Sequence, residues 1–394
     1  MKSLTDLPVE GRTVLVRVDF NVPLDETGQI RDDTRIRASL PTLNELIGRK
    51  ARVVVCSHLG RPKGQVVPKL SLRGVAARLS ELLGREVRFS ETVIGPEVGA
   101  LKKSLKDGEV LLLENVRFHA AETSNDDAFA GRLAEGADFF VNDAFGSCHR
   151  AHASVEAVTR HVRDSAAGLL LEKEVDYLSR AFQSPVKPYT AILGGAKVSD
   201  KIPVIENLLN KADDILIGGA MAYTFFKARG LEVGKSLVES DKLDTARAIL
   251  NAAEKMKVSF LLPEDHVLAG SLEQTESAGT TDAFPLPQDM MAVDIGPKTV
   301  ESYSRVIARS KTIFWNGPLG VFEVPAFSRG TVSIAEAVAR SEALSIVGGG
   351  DSAAAIARAG VGDRISHIST GGGASLEFLA YETLPGLEAL GWKK

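Results

Sequence analysis

The sequence predicts an α/β protein of two lobes, each a doubly wound, mostly parallel sheet flanked by helices, with a hinge helix joining the two. Three observations carry this expectation. A chain of 394 residues exceeds what one core ordinarily holds, and 44% apolar with 25% charged residues is a globular composition. Short Val-, Ile- and Leu-rich runs alternate with longer stretches of helical periodicity, which is the pattern of βαβ units. The residues that end each apolar run also change half-way along the chain. They are Arg, His, Asn or Asp in the first half, and doubled or tripled glycine in the second.

In chain order, strands are expected over Val14–Phe20, Arg52–Ser57, Val110–Leu113 and Asp138–Asn142, with helices such as Ser71–Leu83 and Ala128–Glu135 between them. Gly168 to Leu178 favours helix and bridges the halves, so it would act as a hinge rather than a loose tether; Pro185 and Pro188 end it. The second half repeats the scheme. Strands are expected over Tyr189–Leu193, Asp214–Ile217, Phe260–Leu262, Thr312–Trp315, Leu344–Val347 and Ile365–Thr370. The helices expected among them include Asp200–Asn210, Leu243–Lys257 and Ser352–Ala359.

Open α/β sheets bind ligands beyond the carboxyl ends of their strands. In the first half those positions hold Asp19, Asn21, His58, Arg61, Arg117, Asp143 and Arg150. In the second they hold Gly195, Lys197, Lys201, Gly219, Asn316, Gly317, Pro318, Gly350, Asp351, Ser352 and Gly373.

The run Gly348 to Ser352 reads as strand, loop and helix start, where glycine lets backbone N–H groups approach an anion and the helix dipole favours it. Asp351 would repel a phosphate, so its expected task is to hold a Mg²⁺ that accompanies a nucleotide. Gly371 to Ser375 repeats the geometry without the acid. A single glycine cluster is equally explained by a tight turn; four at four strand ends are not. Lys197 and Lys201, four apart after Gly194-Gly195, are expected on one face of a nascent helix, suited to a transferring phosphoryl group or, alternatively, to a solvated face. Trp315 to Glu323 combines a rigid turn, an apolar wall and a carboxylate, a mixture that suits a nucleoside or an ordinary core edge. Gly230 to Ser236 imitates a phosphate-binding loop, but its glycines are spaced one residue too closely and no strand precedes it.

In the first half Arg35, His58, Arg61, Arg117 and Arg150, with Asp19 and Asn21, suit a small substrate with two anionic ends and a hydroxyl. A net charge of −4 argues against nucleic acid as partner, so any anion site is a local cluster. Two cysteines, Cys56 and Cys148, make no disulfide framework and fit a reducing compartment. The N-terminus lacks an apolar signal region, and the uncharged stretch Ile215 to Phe226 is shorter than the ~20 residues of a membrane span. A cytoplasmic protein without membrane contact is expected. His149 and His152 lack the acid or thiol that would complete a metal site, and no Gly-x-Ser-x-Gly elbow appears. A nicotinamide dehydrogenase would need Gly-x-Gly-x-x-Gly after the first strand, which is missing. A non-catalytic two-lobed binding protein would leave the Lys197/Lys201 pair without a purpose.

Eight stretches, in order, resemble the phosphoglycerate kinase family. They are Val16 to Pro23, Ser57 to Gly64, Glu114 to Phe118, His149 to Ser154, Gly194 to Lys201, Asn316 to Glu323, Gly348 to Ser352 and Thr370 to Leu376. The resemblance covers essentially the whole chain. It implies reversible transfer of a phosphoryl group between ATP and the carboxylate of 3-phosphoglycerate, in glycolysis, by a cytoplasmic monomer whose lobes close for direct in-line transfer. It also implies a domain of residues 1–171 for 3-phosphoglycerate, with a tail of 380–394 packing back on it, and a domain of 172–379 for nucleotide. Carried over by motif, Asp19, Asn21, Arg35, His58, Arg61, Arg117 and Arg150 look like the 3-phosphoglycerate site. Gly195, Lys197, Lys201, Gly219, Gly296, Asn316, Pro318, Glu323, Gly349, Gly350, Asp351 and Ser352 look like the nucleotide site, with Asp351 as magnesium ligand. Arg35 and Lys201, helped by amides near Gly350 and Gly373, look like the groups that stabilise the moving phosphoryl. Cys148, where alanine is commoner, Ser352, where threonine is commoner, and the Ala380 to Thr383 segment depart from the family pattern.

Overall fold

The computed structural model describes residues 1–393; Lys394, the last residue of the expected tail, lies outside them. The chain divides into two compact units, Met1–Asp176 with the segment from Thr383 onward, and Tyr177–Glu382. The division falls inside the helix Leu169–Phe182, a few residues beyond the sequence bound at 171/172. No helix among the described residues is long and apolar enough to cross a membrane.

The first unit contains β1 (Thr13–Arg17), β2 (Arg52–Cys56), β3 (Val87–Phe89), β4 (Val110–Leu112), β5 (Phe139–Asn142) and β6 (Asp164–Ala167). They form one sheet in the order β3-β4-β2-β1-β5-β6, and every pairing is parallel. Helices cover both faces of such a sheet, which is why its inner strands read as unbroken apolar runs. All five residues of β1 are buried. Val14, Val16, Val53, Val55, Val110, Leu112 and Val141 share a core with Leu43, Leu46 and Leu79 from the flanking helices. From β1 the chain runs outward to β2 and later returns to β5 on the other side, so the topological switch lies between β1 and β5.

The first strand is shorter than expected. Beyond Val18, whose amide still reaches Cys56 O at 3.1 Å, side chains take over the ladder. Ser57 Oγ accepts from Phe20 N at 2.8 Å and Asp19 Oδ1 from Asn21 N at 3.1 Å. The backbone turns there and presents Asp19 and Asn21 at the switch. The strands β3 and β6 have no counterpart among the expected elements, since three residues or an Asp-Ser-Ala-Ala run carry little β signal.

Asp143, just past β5, is fully buried; its Oδ1 accepts from Leu170 N at 2.9 Å, at the start of the helix Leu169–Phe182. Its Oδ2 has no donor. Burial pushes its pKa up to about 7, although the Thr42 hydroxyl, the Leu171 and Leu170 amides and the Ser39 hydroxyl favour the anion. The folded state therefore holds this proton more tightly than the unfolded chain, and stability falls as pH rises from about 4 through about 7. Asp143→Asn, which supplies an N–H where Oδ2 stands, is expected to remove that slope. Its thermal midpoint at pH 8 should exceed that of the wild type by several degrees, at about 2–4 °C per kcal/mol regained. Equal midpoints at pH 8 would show that Asp143 bears no such penalty.

The second unit contains β7 (Tyr189–Leu193), β8 (Asp214–Ile217), β9 (Ser259–Leu261), β10 (His266–Ala269), β11 (Gly279–Thr281), β12 (Met291–Ile295), β13 (Thr312–Asn316), β14 (Leu344–Gly348) and β15 (His367–Ile368). The main sheet, again all parallel, runs β15-β14-β13-β7-β8-β9. Its core sets Ile192, Leu216, Ile313, Trp315 and Val347 against Tyr303, Ile307, Ile334, Val338 and Ile356. The switch here lies between β7 and β13. A small antiparallel sheet, β11-β10-β12, is inserted between β9 and β13 and has its own core of Ala269, Val293 and Phe327. No sequence signal announced it. The expected Ile365–Thr370 strand contracts to His367–Ile368.

Candidate active site

In the first unit the expected anion site assembles at the carboxyl ends of β1, β2 and β4. Arg35, from the first turn of the helix Thr34–Gly48, donates through Nη1 to Asp19 Oδ1 at 3.2 Å and Asn21 O at 3.0 Å. Asn21 Oδ1 accepts from Gly60 N at 2.8 Å, and Arg117 Nη1 donates to Gly60 O at 2.8 Å. Asp19, Asn21, Arg35, Gly60 and Arg117 thus form one connected set drawn from three strand ends and one helix start. Burial works against ionising Asp19, but the Arg35 and Arg17 guanidiniums and the Asn21 amide hold its carboxyl below the usual range. Burial, reinforced by Arg17 and Arg150, lowers Arg117 to about 10, and its Nε is buried without a partner. Crowding of this kind leaves a local excess of positive charge that favours an anion. Arg61 is exposed and has no hydrogen-bond partner among the described residues, and Arg150 is exposed with its Nε on His149 Nε2 at 3.0 Å. Burial and the neighbouring arginines lower His152 to about 4.

Sequence reasoning missed the layer beneath. Arg17 is wholly buried, donating through Nε to Ser154 Oγ at 2.8 Å and meeting His58 Nδ1 with Nη2 at 3.1 Å. Glu122, also wholly buried, accepts from Ser154 Oγ at 2.6 Å and Ser154 N at 2.9 Å. An arginine inside an apolar strand is the one signal that pointed there.

In the second unit three glycine loops meet backbone to backbone at the switch. A Cβ on Gly194 would stand 2.1 Å from Pro318 O, one on Gly317 2.3 Å from Gly194 O, and one on Gly219 2.6 Å from Gly195 N. The amides of Gly194, Gly195 and Gly219 donate to Asn316 O, Pro318 O and Leu319 O, each at 2.9 Å. These glycines therefore lock the loops together, and their N–H groups are committed. The loops that leave amides open are the other two. Gly350, Asp351 and Ser352 form the first turn of the helix Gly350–Arg358, where backbone N–H groups have no partner within the helix. Gly350 and Gly373 are exposed, and a Cβ added to either would meet nothing within 4 Å. Gly349 turns the chain with φ +98.

Lys201 is buried; Nζ donates to Asn316 Oδ1, and Asn316 Nδ2 donates to Gly348 O at 2.7 Å. Burial lowers Lys201 to about 8 against the opposing pull of Asp200 and Asp351. Ser352 Oγ, fully buried, accepts from Gly317 N at 2.6 Å and ties the loop after β13 to the helix start. The expectation that Lys197 and Lys201 share a helix face is corrected. The helix begins only at Ile202 with Pro203 in its first turn, and Lys197 sits exposed in the loop before it. A proline is tolerated in the first helical turn but clashes further in, which fixes that start. Glu239 holds the loop through Ser199 N at 3.0 Å and Ser199 Oγ at 2.5 Å. Glu323 is exposed, and Gly296 caps the helix Pro297–Arg309 close against the Asp265 carboxylate.

Among the described residues no three His, Cys, Asp or Glu side chains group as a metal cage. Asp351 stands exposed in the helix's first turn, next to the open amides. One carboxylate beside open helix-start amides fits Mg²⁺ carried by a phosphate, since that ion completes its shell with phosphate oxygens and water. Both cysteines are buried and their thiols pushed up to about 12 by burial, so neither is a ready nucleophile.

The family model described as "Phosphoglycerate kinase" matches residues 4–382. A curated phosphoglycerate kinase of Acidobacterium capsulatum is 56% identical over 399 residues, covering 98% of each chain. One from Anaeromyxobacter sp. (strain K) is 54% identical over 391 residues, covering 99% of each. Among solved structures, phosphoglycerate kinase from Coxiella burnetii superposes with a TM-score of 0.89 at 41% identity, over 99% of this chain and 98% of that one. The Pyrococcus horikoshii enzyme gives 0.87 at 36% identity, over 99% and 98%.

Proposed function

The chain belongs to the phosphoglycerate kinase family, and on that premise we propose that it transfers a phosphoryl group reversibly between ATP and the carboxylate of 3-phosphoglycerate, a step of glycolysis. The observation that carries this is the pairing of a guanidinium cluster at one topological switch with open helix-start amides and a buried lysine at the other. Phosphoryl transfer asks a protein for position and positive charge rather than covalent chemistry.

In this reading the first unit binds 3-phosphoglycerate through Asp19, Asn21, Arg35, His58, Arg61, Arg117 and Arg150. The second binds nucleotide through Gly195, Lys197, Lys201, Gly219, Gly296, Asn316, Pro318, Glu323, Gly349, Gly350, Asp351 and Ser352. Arg35 and Lys201 stabilise charge on the moving group, with amides at Gly350 and Gly373. Asp19 holds Arg35 in place, and Asn316 holds Lys201. A bound Mg²⁺ at Asp351 would neutralise phosphate charge. Direct transfer needs reacting atoms about 3–3.5 Å apart, so the reading includes closure about the helix Leu169–Phe182. Family membership also supports a cytoplasmic monomer.

A coupled assay of ATP consumption with 3-phosphoglycerate tests the activity: turnover dependent on both substrates is expected, and none would refute it. Arg150→Ala is expected to raise the KM for 3-phosphoglycerate about tenfold or more with kcat little changed, the worth of a hydrogen bond to a charged group. An altered KM for ATP alone would contradict the assignment of substrates to units.

A further inference from the structure

We propose that Arg17, Ser154 and Glu122 form a buried positioning relay that fixes His58 as its Nε2–H tautomer and so determines which ring nitrogen donates to the anionic substrate. The direction of every hydrogen in the relay follows from its chemistry. A guanidinium only donates, so His58 Nδ1, 3.1 Å from Arg17 Nη2, accepts, and the ring hydrogen resides on Nε2. Ser154 Oγ accepts from Arg17 Nε at 2.8 Å, which leaves its own hydrogen for Glu122 Oε1 at 2.6 Å. Glu122 Oε2 is held by Ser154 N at 2.9 Å. Val18 O receives Arg17 Nη1 and Ser147 Oγ lies 3.4 Å from Nη2, so the guanidinium is clasped on all sides.

The relay also explains why Arg17 and Glu122 both lie at zero exposure. An isolated buried charge is costly, and a hydroxyl between Arg17 and Glu122 lets each satisfy the other at one remove. Burial, with Arg17, Arg117 and Arg35 nearby, lowers the His58 pKa well below normal, and only Asp19 opposes this. His58 Nε2 makes no hydrogen bond within the described residues and is the donor left over for a ligand. Arg17, Ser154 and Glu122 act through His58, and are positioning residues.

The inference rests on the reading of His58 as a substrate-binding residue, but its first test does not. Long-range ¹H–¹⁵N spectra of the full, ¹⁵N-histidine-labelled protein should show His58 Nε2 as a protonated and Nδ1 as an unprotonated nitrogen at pH 7. An Nδ1–H tautomer or an imidazolium would overturn the relay whatever the activity. In Ser154→Ala, folded as judged by its thermal midpoint, the spectrum should change to mixed tautomers. Its KM for 3-phosphoglycerate should rise about tenfold while kcat changes little. An unchanged tautomer and KM in that variant would also overturn the proposal, and should Ser154→Ala not fold, the wild-type spectrum alone decides.

Discussion

Replacing Lys201 with alanine is expected to lower kcat roughly 10²–10³-fold, the loss associated with removing one donor that acts on transition-state charge. Nζ lies in a buried setting with Asn316 Oδ1 as its acceptor and the open amides of Gly350 to Ser352 beyond. In a setting of low dielectric, one positive charge counts for more than it would in water. Burial that strengthens the charge also makes it easier to lose, for burial lowers the lysine pKa from 10.5 to about 8. In the proposed role the protonated form is the working one, so kcat/KM, which reports the free enzyme, should fall as pH rises through about 8. Steady-state kinetics of the wild type and K201A across pH check both points, the limb near pH 8 being present in the first and absent from the second. Turnover within a few-fold of wild type would remove Lys201 from the chemistry.

Gly194→Ala is expected to abolish nucleotide binding while sparing that of 3-phosphoglycerate. The added methyl would meet the carbonyls of Pro318 and Gly317 at 2.1 and 2.7 Å, and neither is a flexible side-chain end. The three loops must then separate, breaking the amide contacts to Asn316 O and Pro318 O. Overpacking against a fixed backbone costs about 3 kcal/mol or more. The first unit has its own sheet and core and should fold regardless. Calorimetric titration with each substrate separates the two outcomes. Equal loss of both affinities, in protein whose first unit remains folded, would contradict the allocation of substrates to units.

Much of this was legible from residue order because parallel sheets buried on both faces leave a plain record. Runs such as Arg52–Cys56 and Tyr189–Leu193 are mostly apolar, and the polar residues and glycines directly after them are those the fold gathers at the carboxyl ends of its strands. The glycine clusters were visible too, but sequence assigned one task to all of them. Only the folded chain separates Gly194, Gly219 and Gly317, which pack loop on loop, from Gly350 and Gly373, whose surroundings are open. The relay under His58 was hidden because its members lie far apart in the chain. Arg17 and Glu122 look like ordinary charged residues until both are found at zero exposure. The β10–β12 sheet escaped because it depends on pairing between segments with little intrinsic preference, including the largely exposed Gly279–Thr281.

In this account the phosphoryl group passes directly from nucleotide to substrate carboxylate, with the protein contributing cations and amides but no covalent carrier. The stereochemical course at phosphorus tests it. With ATP made chiral at the γ-phosphorus by oxygen isotopes, a single direct displacement gives inverted configuration in the acyl phosphate product. Retention would mean two displacements through an enzyme-bound phosphoryl group, and would contradict the account.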